Sequence, residues 1–208
     1  MTFDFRAFFE AAISIFAIVN PIGGLPVFVA LTEDIPPAER RRIFRIAGLT
    51  ALTIVLAMAL AGQLLIDAVF HLRMNEFTFG GGLLLVVTGI RTMLSSTDRT
   101  AAASQKEYLL QDGLRLAVSP IASPLLVGPG TIVTVMLLVQ QSGHLFAIAS
   151  SLAAFAVVIL ILNYAHVIFR LMGPLGALAV GRVMHIFIVA IGVKFCFRGL
   201  EEFIRQWK

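Results

Sequence analysis

Asn20–Pro26 reads NPIGGLP, and Ser119–Gly130 reads SPIASPLLVGPG. Each stretch sets prolines and glycines inside apolar sequence that would otherwise run as continuous helix. Proline has no N–H, and its ring crowds the carbonyl four residues earlier. Pro21 is therefore expected to free the carbonyl of Ala17, and Pro26 that of Ile22. In hydrocarbon an unpaired backbone group costs several kcal/mol and persists only when protein, water or a ligand satisfies it. The first break adds Asn20, Gly23 and Gly24, and glycine admits the unusual φ of an unwound turn. The second supplies Ser119 and Ser123 as small polar groups, Pro120, Pro124 and Pro129 as breakers, and Gly128 and Gly130 beside the last proline.

The chain around the breaks has the composition of an integral membrane protein. Of its 208 residues 59% are apolar and 13% charged, and the mean hydropathy of +0.94 lies far above that of a soluble domain. One transmembrane domain over 1–208 is expected. The excess of 16 Lys and Arg over 12 Asp and Glu reads as cytoplasmic anchoring charge, not nucleic-acid binding, because the aromatics are mostly Phe in apolar runs. Cys196 is alone, so no intrachain disulfide and no cysteine metal site are expected; it reads as a lipid-facing or packed thiol. The N-terminus carries Asp4 and Glu10 and lacks a basic region followed by a small-residue cleavage site, so it reads as the first hydrophobic segment rather than a removed signal peptide.

A bilayer core of about 30 Å takes roughly 20 apolar residues per helix, which gives six expected spans, near 5–31, 46–66, 77–94, a fourth ending near 139, 145–172 and 178–204. The third opens on Gly80, Gly81 and Gly82, small residues that let another helix approach. The polar connection 96–113 divides the chain. An offset of 99 residues carries Asn20 onto Ser119 and Pro21 onto Pro120, and brings the second and third spans onto the fifth and sixth. The fold class expected is therefore all-α: six transmembrane helices as two inverted three-helix repeats, about 1–97 and 101–208, with spans 1 and 4 broken. Ten Lys and Arg flank one side (Arg40, Arg41, Arg42, Arg45, Arg91, Arg99, Lys106, Arg115, Arg170, Arg182) and six the other, which places both termini outside.

A helix restarting after a break carries partial positive charge on its free N–H groups, and one that stops carries partial negative charge on its carbonyls. Two oppositely directed breaks can thus hold a small zwitterion without burying a charged side chain. They can also be structural kinks satisfied by neighbouring helices; two glycine-rich, multi-proline breaks at equivalent positions favour the binding site. The candidate substrate-binding residues are Asn20, Pro21, Gly23, Gly24, Pro26, Ser119, Pro120, Ser123, Pro124, Gly128, Pro129 and Gly130. The Gly, Ala and Ser around them suggest room for a small ligand only. Within the spans Asn163, His166 and Lys194 are candidates for coupling or support. His166 is either a proton carrier or a packed, hydrogen-bonded histidine. Lys194 either meets substrate or a carboxylate, or snorkels outward on a face shared with Arg198, whose charge Glu201 and Glu202 offset. No carboxylate occupies the centre of a span, which weakens a carboxylate proton relay and leaves proton or sodium coupling open. No metal or cofactor is expected. An enzyme is not expected either: HExxH and paired intramembrane aspartates are absent, and the histidines are scattered at 71, 144, 166 and 185.

NPIGGLPVFVALT at 20–32, PIASPLLVGPGTI at 120–132, the glycine pair opening the third span and GRVM at 181–184 resemble the MarC family over nearly the whole chain. The resemblance implies a six-span bacterial or archaeal inner-membrane protein grouped with small neutral amino acid transporters and LysE-like exporters. It implies transport of alanine- or glycine-like substrates at Asn20, Pro21, Gly23, Pro26, Pro120, Pro124, Gly128, Pro129 and Gly130. The alternatives are export of another small metabolite or drug, and a nontransporting accessory subunit. Partners are then a small-molecule substrate and the lipid bilayer, with the oligomeric state open. This chain departs from the family pattern at His185, where glycine is usual, and at Lys194, where a neutral polar residue is expected.

Overall fold

The computed structural model of the chain describes residues 4–69, 71–94 and 117–205, without the side chains of Asp67, Pro120 and residues 123–125. The connection 96–113 lies outside the described residues. Those described are helical, with no strand among them. Helix α1 (Phe5–Val19) starts at Asp4, whose carboxylate accepts from the N–H groups of Arg6 and Ala7 at 3.0 and 3.1 Å. Helix α2 (Leu25–Thr32) follows the first break, and α3 (Pro37–Leu64) runs into a π-helical turn, Leu65–Val69. Helix α4 is Met74–Leu94. After a π-helical segment, Ala117–Leu126, come α5 (Pro129–Ser142), α6 (His144–Asn163) and α7 (Ala165–Arg205). Helix α7 is two helices in one: Gly173, at φ 69° and ψ 168° before Pro174, kinks it.

Among the described residues four helices, α3, α4, α6 and α7, are long and apolar enough to cross a bilayer. The two breaks leave α1, α2 and α5 at 15, 8 and 14 residues, each short of the roughly 20 that a crossing takes. Spans 1 and 4 are broken as expected, whereas the expected fifth span, 145–172, is divided after Asn163 and its second part is continuous in α7 with the sixth.

The exterior carries side chains that a water-soluble fold would hide, among them Leu60, Leu64, Val87, Leu160, Val167 and Phe197. Inside, one large apolar cluster joins α1, α2, α3, α5 and α6, including Phe28, Phe44 and Phe155. A smaller one, including Ile18, Leu85, Val133 and Ile188, ties α4 and α7 to α1 and α5. Helices α4 and α7 meet backbone to backbone. A Cβ on Gly82 would stand 2.7 Å from the Gly192 oxygen, and one on Gly192 would stand 2.8 Å from the Gly82 oxygen. Gly81 faces Val133 of α5, whereas Gly80, expected to share this role, has open space around it. Cys196 lies in the same contact, its Sγ 3.8 Å from the Phe79 oxygen.

Arg40, in the basic run that sequence assigns to topology, also closes the end of α2. Its Nε donates to the Thr32 oxygen at 3.0 Å, and its Nη2 donates to the oxygens of Ile35 at 2.8 Å and Glu33 at 3.2 Å. A guanidinium there satisfies the last carbonyls of the helix and complements its negative end.

Candidate functional site

The first break is a closed turn. Asn20 ends α1 in the left-handed region, at φ 49° and ψ 53°. Its side-chain Oδ1 accepts from the Gly23 N–H at 3.0 Å, and its carbonyl accepts from the Gly24 N–H at 3.2 Å. The Ile22 carbonyl, expected to be freed by Pro26, accepts from the Leu25 N–H at 3.1 Å. The unusual φ thus belongs to Asn20 and not to the glycines; Gly24 is at φ −78° and Gly128 at φ −84°. Space is what the glycines supply. A Cβ on Gly23 would strike the Asn20 amide, one on Gly24 would lie 2.6 Å from the Phe28 ring, and one on Gly130 would strike Leu85.

The second break is built differently. The prolines at 120 and 124 fall inside the π-helical segment, where the Val127 N–H reaches back five residues to the Ala122 oxygen at 3.0 Å. The helical ladder stops only at 127–128, and α5 restarts from Gly128. The 99-residue offset that superimposes NPI on SPI therefore does not superimpose the two restarts.

Both restarts share one chemistry. Helix α2 begins after Gly24 and α5 after Gly128; neither N-cap makes a side-chain hydrogen bond, and each first turn contains a proline, Pro26 or Pro129. First-turn N–H groups have no acceptor within their own helix and carry its partial positive charge. The two starts open on a single cavity of about 440 Å³. Its wall takes Asn20, Gly23, Gly24, Val27 and Phe28 from the first break, Gly128, Pro129, Gly130 and Thr131 from the second, and Ile18 and Val19 from α1. Helix α4 adds Leu84, Leu85, Thr88, Gly89 and Thr92, and α7 adds His185 and Ile188. Ile18, Leu85 and Ile188 belong to the smaller apolar cluster and Val19 and Phe28 to the larger, so the cavity sits where the two meet. The cavity is larger than the small residues suggested, since pockets of roughly 300–1,000 Å³ accommodate drug-sized ligands.

Of the residues singled out by sequence, the structure brings together Asn20, Gly23, Gly24, Gly128, Pro129 and Gly130. Pro21 is buried and Pro26 half-buried, both away from the wall, and Ser119 is exposed. The side chains of Pro120, Ser123 and Pro124 lie outside the described residues. Asn163 ends α6, half-buried and off the cavity. His166 is screened from it by two rings: Phe28 lines the wall, Phe44 stands 6.3 Å from Phe28, and the His166 ring 6.2 Å from Phe44. The His166 Nε2 is buried without a hydrogen-bond partner. Lys194 is exposed on the outer face of α7, four residues before Arg198, which pairs with Glu202 at 3.2 Å. Thr88, Thr92 and His185 were not among the candidates. The i, i+4 spacing of the two threonines, after the apolar run 83–87, was the available signal for the first two, and the departure from family pattern for the third. Among the described residues no group of three His, Cys, Asp or Glu side chains is placed to hold a metal ion.

A family model described as "MarC family integral membrane protein" matches residues 5–204. An Archaeoglobus fulgidus protein named "UPF0056 membrane protein" is 33% identical over 94% of this chain and 92% of its own length. The Bacillus subtilis "UPF0056 membrane protein YvbG" is 28% identical over 91% and 92% of the two chains, and the Escherichia coli "UPF0056 membrane protein YhcE" 27% over 96% and 94%. No solved structure matches.

Proposed function

Because the chain belongs to the MarC family of integral membrane proteins, we propose that it is a secondary transporter of small neutral amino acids, alanine- or glycine-like, in a bacterial or archaeal inner membrane. The observation that carries this reading is the convergence of two glycine-capped helix starts, α2 and α5, on one cavity without a carboxylate, ammonium or guanidinium in its described wall. The N–H groups of Leu25 and Thr131 already donate to the oxygens of Ile22 and Gly128, and Pro26 and Pro129 have none, so what the two starts offer a carboxylate is their remaining first-turn N–H groups and the positive ends of the helices. The Asn20 amide and threonine hydroxyls suit an ammonium without a buried counter-charge. The substrate is recognised by backbone and small polar groups, and no bond is made or broken.

Transport takes place by alternating access of two inverted three-helix repeats around this site. At about 1.5 Å per residue α1 and α2 together reach about 34 Å, enough for one crossing made in two pieces. Helix α5 with the π-helical segment before it makes the fourth crossing. Two pairs of element boundaries support the repeat: Leu65, just past α3, and Tyr164, just past α6, are 99 residues apart, as are Met74, the start of α4, and Gly173, the kink in α7. The first part of α7 then completes the fifth crossing, and the part after Gly173 is the sixth.

Counterflow of labelled alanine and glycine into proteoliposomes tests the reading, with leucine, lysine and glutamate as comparison substrates. Thr88→Trp fills the cavity from its exposed wall without displacing a core residue, and is expected to abolish flux while leaving the protein inserted and monodisperse. Undiminished flux in that variant, or no flux of any small neutral amino acid through the unaltered protein, overturns the proposal.

A further inference from the structure

Among the described residues the cavity wall carries one ionisable side chain, His185. Its Nδ1 stands 2.6 Å from the carbonyl oxygen of Gly181, one turn earlier on α7. A carbonyl only accepts, so Nδ1 is the nitrogen that holds the hydrogen, and in the neutral ring Nε2 is left with a lone pair. That fixes the tautomer and leaves one atom to take up a proton. The anchor also touches the first break. A Cβ on Gly181 would lie 3.6 Å from the Gly23 Cα and 3.7 Å from its oxygen, and the Gly23 N–H is the group held by Asn20.

The surrounding charges leave His185 to the two helix starts. Helices α2 and α5 contain no ionisable side chain. On α1, Arg6 and Glu10 pair with each other at 2.9 Å toward the far end. On α4, Glu76 is in the first turn, its carboxylate accepting from the Arg73 N–H, and Arg91 is exposed beyond Thr88. On α7 itself Arg182 and Lys194 are exposed, Arg170 lies before the kink, and Arg198 and Arg205 pair with Glu202 and Glu201. None of these lines the cavity.

Building on the transport reading, we propose that His185 is the proton-binding group of the cavity, taking a proton on Nε2 together with a substrate carboxylate. The positive ends of α2 and α5 face the same cavity as His185. A carboxylate held between them puts a negative charge in the cavity for the imidazolium to pair with. By linkage the effect is mutual: the carboxylate promotes protonation, and protonation tightens carboxylate binding by the same factor. Proton and substrate then cross together. The proton comes from water on the side to which the cavity is open, returns to water on the other, and leaves the imidazole neutral.

The test uses the full chain in nanodiscs, with ¹⁵N-labelled histidine and alanine, glycine and acetate as probes. His185 signals are identified by their loss in His185→Gln or His185→Asn. Expected are a neutral ring carrying hydrogen on Nδ1 at high pH, and a protonated fraction that rises at a given pH when alanine is added. Alanine binding should weaken at least about fivefold from low to high pH, the lower end of common coupling factors. In His185→Gln it should persist and become flat with pH. A ring carrying hydrogen on Nε2, absence of titration, or an unchanged pH dependence in His185→Gln overturns the proposal. If alanine and glycine bind at no pH, the amino-acid reading falls separately. Acetate, a bare carboxylate, then decides this one: a rising protonated fraction of His185 supports it and an unchanged one overturns it.

Discussion

Asn20 performs two tasks that a sequence does not separate. It adopts a left-handed backbone that costs most residues about 1–2 kcal/mol, and its Oδ1 receives the Gly23 N–H at 3.0 Å. Asn20→Gly keeps the conformation and loses the hydrogen bond, so it should destabilise by about 1 kcal/mol. Asn20→Ala loses both and should destabilise by about 2 kcal/mol. Denaturation of the purified protein measures the two, and equal losses would refute the division of labour. The polar character of this position was legible from NPIGGLP. The strained φ was assigned to glycine because glycine is the usual answer, but an asparagine whose side chain closes its own turn is an equally good one. At Gly23, Gly24 and Gly130 the requirement is space, and space depends on Asn20, Phe28 and Leu85 being where they are.

Helices α4 and α7 show the same point one level up. The glycines of α4 announced a close helix contact, but a glycine run does not say which of its members faces the neighbour. Gly192→Ala should press a methyl against the Gly82 oxygen and cost about 1–3 kcal/mol. Gly80→Ala, with open space around it, should gain about 0.5–1 kcal/mol from helix propensity. A pair of unfolding midpoints moving in opposite directions is the expected result, and a common direction would place the contact elsewhere. The presence of α3, α4 and α6 was readable because hydropathy is a one-dimensional property of the chain, but α3 starts nine residues before the expected span and α6 ends at Asn163, not at 172. The π-helical segment at Ala117–Leu126 was not readable. Whether prolines open a gap or are absorbed by a wider turn is decided by the helices around them.

For the molecule as a whole, the positive charges together with the six crossings proposed above make a definite expectation about sidedness. With Cys196 replaced by Ser, a cysteine at Arg6 and one at Arg205 should both react with a membrane-impermeant maleimide added to intact cells, and one at Arg42 should react only after permeabilisation. Opposite labelling of the two ends would rule out an even number of crossings. The two motifs at 20–26 and 119–130 were legible as partners, and half of the residues drawn from them meet at one cavity. Its volume and the arrival of Thr88, Thr92 and His185 were not legible, because they follow from the spacing of α1, α4, α5 and α7. The Asn20–Pro21 junction also bears on how this molecule ages. Asparagines in tight turns are ordinarily lost to deamidation, when the next backbone nitrogen attacks the side-chain amide and closes a succinimide ring. That nitrogen here belongs to Pro21 and has no hydrogen to give up. The amide that closes the turn at the cavity is thereby shielded from the commonest chemical lesion of its kind.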